Sequence, residues 1–127
     1  SFSGRRDRVS FIGPAPARAM APGLFRLTLA LEPDAGTQAL TLRWQRLGET
    51  GSGKESNSME PVLRGIRSLE FGYFGQIGNG LEPTWTNEWR DNEQSPSLIR
   101  ISIDFADQTR AVWPTMIIPI LTPEGSR

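Results

Sequence analysis

The chain has 127 residues, one domain's worth, with Lys plus Arg equal to Asp plus Glu at 14 each. Without a basic surplus it is not marked for nucleic acid. It contains neither His nor Cys, which excludes Ser-His-Asp triads, cysteine nucleophiles, disulfides and imidazole or thiolate metal sites.

Thirteen Gly and ten Pro exceed the usual combined share of about 12% and favour short strands joined by turns. Residues 8–12 alternate and stop at Gly13-Pro14, a short strand. Residues 15–22, rich in Ala and Pro, read as a loop. Residues 24–32 form the clearest strand: Phe25, Leu27, Leu29 and Leu31 face one way, Arg26, Thr28, Ala30 and Glu32 the other. Pro33 to Gly36 is a turn, and Leu40, Leu42 and Trp44 then alternate with Thr41, Arg43 and Gln45, completing an antiparallel hairpin.

Residues 48–61 are polar and read as an exposed loop. In residues 63–74, Leu69, Phe71 and Tyr73 share a face. A second loop, residues 75–83, carries the turn signal Asn79-Gly80. Residues 85–89 form a short strand with Trp85, Asn87 and Trp89 on one face. Ile99, Ile101, Ile103 and Phe105 alternate in the next strand, and residues 111–121 form the last, broken near Pro114. No stretch longer than about ten residues has a helical period. The fold class is mainly β: six to seven antiparallel short strands, each with one apolar face. Such faces need a cover, either a second sheet or a helix from outside this chain.

Several constellations resemble sites. Gly48, Gly53 and Lys54 have P-loop spacing, but Glu55 stands where Ser or Thr would hold magnesium, and no helical pattern follows. Glu88, Asp91 and Glu93 are dense enough for calcium but lack the EF-hand order. Gly75 to Gly80 lacks the dinucleotide spacing. No pair among the 14 acids can be assigned to glycoside hydrolysis. Catalytic, cofactor-binding and metal residues are therefore all assigned as none, and no enzymatic activity is expected. Trp85 and Trp89 flank a polar loop, and with Arg90 they are the candidate partner interface; the alternative is that the tryptophans plug a small β core.

The segment Val62-Leu63-Arg64-Gly65-Ile66-Arg67-Ser68-Leu69-Glu70-Phe71-Gly72-Tyr73, followed by Trp85, Trp89, Pro96 and Leu98-Ile99-Arg100-Ile101-Ser102-Ile103, resembles the type II secretion minor pseudopilin J family. Phe2-Ser3-Gly4, Arg8-Val9-Ser10-Phe11 and Gly23-Leu24-Phe25-Arg26-Leu27 fit the same family's opening order, so the likeness spans about residues 2–120. The resemblance implies a pseudopilin-like periplasmic head over residues 1–127, with α+β architecture in the full-length protein. It implies an inner-membrane anchor through an N-terminal helix, processing by a peptidase that also methylates the new N-terminus, and I-like and K-like minor pseudopilins as partners at the pseudopilus tip. The implied role is structural, in moving folded proteins through the outer membrane.

The family's leader and anchoring helix are missing from this chain, which opens Ser1-Phe2-Ser3 and reads as a soluble head whose membrane contact lies elsewhere. Some of Phe25, Leu27, Leu29, Leu69, Phe71, Ile101 and Ile103 are then expected to be less covered than in the full protein. A carbohydrate-binding β-sandwich, with tryptophans as stacking platforms, is the alternative function.

Overall fold

The computed structural model describes residues 2–14, 22–47, 57–77, 82–90, 94–107 and 115–120. Eight strands run in chain order: β1 (Ser3–Arg5), β2 (Arg8–Pro14), β3 (Leu24–Asp34), β4 (Thr37–Arg46), β5 (Asn57–Gly75), β6 (Thr84–Thr86), β7 (Leu98–Phe105) and β8 (Met116–Pro119). All pairings are antiparallel and belong to one sheet, ordered β1-β2-β3-β4-β5-β7-β8, with β6 on the other edge of β5. Among the described residues there is no helix. The expected β class therefore holds, but two facing sheets do not: one sheet covers itself by curling.

The hairpin β3–β4 forms as its alternation predicts. Leu27 pairs with Trp44, Leu29 with Leu42 and Leu31 with Leu40, all on the inner face. Its turn is two residues, Ala35 (φ 47°) and Gly36 (φ 90°). Two left-handed residues match the right-handed twist of the flanking strands.

The curl comes from β5, which at 19 residues is far longer than a usual strand. Its first half pairs with β4, and its second half pairs with β7 on the opposite edge. Between the halves Gly65 sits at φ 72°, a conformation a side chain disfavours. Register shifts occur at Leu40/Thr41 and Gln38/Leu40 on one side and Ile66/Ser68 on the other. Extra residues of this kind bend a strand and increase its twist. The strand also begins earlier than expected: residues 57–61 belong to β5, because Leu42, Arg43, Trp44 and Gln45 continue the ladder against them.

The bend folds the inner faces together. Val9, Leu40, Ile66, Leu69, Phe71, Tyr73, Ile99 and Phe105 are buried in one cluster, and Phe25, Leu27 and Trp44 in a smaller one. Of the seven residues among which some were expected to be less covered, Phe25, Leu27, Leu69 and Phe71 are buried, while Leu29, Ile101 and Ile103 are only partly so. On the outer face, Thr28, Ala30 and Thr41 are buried as well, and Thr41 Oγ1 donates to the Ala30 carbonyl at 3.3 Å.

Replacing Gly65 by Ala should destabilise the fold by about 1–2 kcal/mol, since the left-handed conformation then carries a Cβ. Urea unfolding of the two chains measures this; an unchanged midpoint would mean that β5 bends without needing Gly65.

Candidate docking site

The curl is closed by the first hairpin. The turn between β1 and β2 is wedged between β3 and β5: the Arg6 carbonyl accepts from Phe71 N–H at 2.8 Å, and the Asp7 carbonyl accepts from Leu31 N–H at 3.0 Å. The outer edge of β1 is joined to the segment after β6 by two backbone bonds, Gly4 N–H to the Trp89 carbonyl at 2.8 Å and Trp89 N–H to the Gly4 carbonyl at 2.9 Å.

Tyr73, the only tyrosine, secures this closure from inside. Its hydroxyl donates to the carbonyls of Arg5 at 2.7 Å and Arg8 at 3.2 Å, pinning both arms of the hairpin. A Cβ at Gly4 would overlap the Tyr73 ring, so only glycine lets β1 lie this close. Phe2 packs edge-on against the same ring at 5.9 Å. Burial pushes the phenol's ionisation far above the ordinary tyrosine range; the negative charge of Asp7 acts in the same direction.

The three sequence-predicted interface residues sit in different environments. Trp89 is 2% exposed, and its Nε1 donates to the Gln94 carbonyl at 3.1 Å. It is a core residue that also holds β1, so it has no surface to offer in this fold. Trp85 points outward, opposite to the shared face expected for the pair, because β6 ends at Thr86 and the chain bends at Asn87. The Arg100 guanidinium lies over the Trp85 ring at 4.5 Å, and Phe74 packs beside it at 5.1 Å. Arg100 reaches Trp85 across Gly72, where a Cβ would stand 2.8 Å from its Nη2. Arg90 is exposed and pairs with Glu88 at 3.7 Å. The P-loop-like residues 48–55, together with Asp91, Glu93 and Trp113, lie outside the described residues.

On the inner face lies a groove of about 700 Å³ between β2–β3 and β7–β8. Phe11, Leu29, Phe71, Ile101 and Ile118 form its walls, and Ser95 is the one polar side chain among its described lining residues. Ile118, 42% exposed, stands at its rim. An apolar concavity of this size is the kind of surface that apolar ligands and protein segments occupy. Sequence alternation placed Leu29, Phe71 and Ile101 on apolar faces, and all three were in the set of which some were expected to be less covered; Phe11 and Ile118 were given no face.

Compared with known proteins, the chain matches no family model, and no curated protein and no solved structure is significantly similar to it.

Two predictions separate the tryptophans and test the clasp. Trp89→Ala should cost roughly 3–5 kcal/mol of stability and Trp85→Ala less than about 1.5; urea denaturation ranks them, and equal losses would contradict the placement. Tyr73 should keep its proton in the folded chain well above pH 10, the ordinary tyrosine value. Above that pH the native state binds more protons than the unfolded state, so stability is full below pH ~10 and falls as pH rises further. With a single tyrosine, phenolate absorbance reports this directly; ionisation near pH 10 in folded protein would refute the buried clasp.

Proposed function

We propose that this chain is the head of a J-like minor pseudopilin, a structural component at the pseudopilus tip of a type II secretion system. The observation that supports a docking role is the apolar groove, and the sequence resemblance supports the secretion setting. In this reading the groove receives an apolar helix belonging to the longer protein, with Phe11, Leu29, Ile101 and Ile118 as the contacting side chains. The head then lies in the periplasm, tethered to the inner membrane by that helix, and meets I-like and K-like minor pseudopilins through its outer surface. Trp85 and Arg90 remain the outward candidates for that contact, as apolar anchor and polar rim respectively.

The mechanism is assembly, without bond chemistry by this chain. Burying a helix face in the groove removes apolar surface from water at about 25 cal/mol per Å². That contribution fixes the head's angle on its stalk, and a fixed angle lets the outer surface meet its neighbours in one register. The carbohydrate-binding alternative is disfavoured by the described tryptophans: Trp44 and Trp89 are buried, and Trp85 already carries Arg100 on its ring.

In the full-length protein, Ile118→Asp should lower secretion by roughly tenfold, the loss of about 1.4 kcal/mol of docking energy. The isolated chain should unfold at the same urea concentration with or without the change, because Ile118 is a rim residue. Undiminished secretion by the variant would defeat the proposal.

A further inference from the structure

The first hairpin has a second face, and its chemistry differs from that of the groove. Around the two-residue turn Arg6-Asp7 the sequence is symmetric: Ser3, Arg5, Arg8 and Ser10. The register converts this symmetry into two cross-strand pairs, Ser3 opposite Ser10 and Arg5 opposite Arg8. Gly4 and Val9 point inward between them, so the four polar residues share the outer face.

These residues line a cleft of about 620 Å³ whose far wall is made by Glu88, Trp89 and Arg90. Ser10 Oγ also accepts from Arg26 Nη1 at 3.4 Å, bringing a further guanidinium to the cleft's edge. Glu88 is its only carboxylate among the described lining residues, and it faces Arg90 at 3.7 Å. The neighbouring cleft is lined by Arg5 and Arg6 together with Asp7, Glu70 and Glu88, and there Asn87 engages Arg6: with the amide presenting its oxygen, Arg6 Nε and Nη2 both donate to it at 3.1 Å.

Arg5 and Arg8 are thus like charges directly opposite on adjacent strands, an arrangement that destabilises a sheet. Neither guanidinium has an ion-pair partner among the described residues. Elsewhere on the same sheet arginines are neutralised, Arg43 by Glu32 at 3.0 Å and Arg67 by Asp104 at 3.1 Å. The hairpin cannot relax by splaying, because Tyr73 holds the carbonyls of these same two arginines from below.

We propose that the cleft over Ser3, Arg5, Arg8 and Ser10 is a binding site for a small oxyanion carrying two negative charges, of the phosphate or dicarboxylate class. Two guanidinium forks and two hydroxyls converge on one side of such a group, and Arg90 closes on it from the far wall. Arginine suits this task because its planar fork meets carboxylate or phosphate oxygens in pairs. The anion removes the repulsion between Arg5 and Arg8, so binding also tightens the hairpin that closes the fold. The site is independent of the groove, and it shares only Arg90 with the outward partner contact proposed above.

The test is a titration of the isotopically labelled 127-residue chain at pH 7 with inorganic phosphate and, separately, with succinate, each against sodium chloride of equal ionic strength. The expected result is saturable movement of the Arg5, Arg8 and Arg90 Nε resonances, with a dissociation constant on the order of 1 mM. Arg8→Gln should weaken binding at least fivefold, whereas Arg43→Gln should leave it unchanged. Saturation by phosphate alone, by succinate alone or by both supports the site and assigns its ligand class. Shifts that chloride reproduces, that never saturate, that spread equally to Arg43 and Arg64, or that survive Arg8→Gln would overturn it.

Discussion

A left-handed residue in the middle of a 19-residue strand decides where the other elements go. Gly65 lets β5 leave β4 and turn its opposite edge to β7, so a single sheet acquires two walls that face each other. Without that bend the inner faces of β3 and β7 would both be open to water, and no cluster joining Leu40, Ile66 and Phe105 would exist. The fold is therefore a solution to a covering problem: a one-faced sheet with no helix among its described residues buries its apolar side against itself.

The solution is incomplete at one place and over-secured at another. Where β2 and β3 approach β7 and β8, the walls stay apart and the groove remains. Where β1 meets β5, the Tyr73 hydroxyl, the Gly4–Trp89 pair and the turn carbonyls of Arg6 and Asp7 all act on a hairpin of only a few residues. The same hairpin presents a dry face to the groove and an arginine-rich face to solvent. Its two sides thus differ in chemistry, one apolar and one lined by guanidinium and hydroxyl groups.

Alternation made much of this legible in the sequence. The inner residues of β3, β4 and β7 follow a strict period of two, because each strand has one buried face. Three things were hidden. The start of β5 at residue 57 was hidden by its polar composition, since Asn57, Ser58 and Glu60 gain their place through backbone pairing with β4. The opposite directions of Trp85 and Trp89 depend on a bend at Asn87 that an alternating pattern cannot express. The arginine-lined cleft had a readable sign, the symmetric Ser-x-Arg-Arg-Asp-Arg-x-Ser run, but the symmetry means something only once a hairpin is centred on Arg6 and Asp7. The absence of His and Cys narrowed the chemistry at once, whereas the groove needed the curl before it could be seen.

The central claim is that the groove is a seat for an apolar helix rather than a free surface. Because the chain has no cysteine, a single Ile118→Cys substitution gives one labelling site at the groove rim. A polarity-sensitive fluorophore there can be compared between this 127-residue chain and the longer, membrane-anchored protein that the proposed function calls for. The account predicts a water-exposed, readily quenched probe in the isolated chain and a blue-shifted, shielded probe in the assembled protein. Equal quenching in both would contradict it.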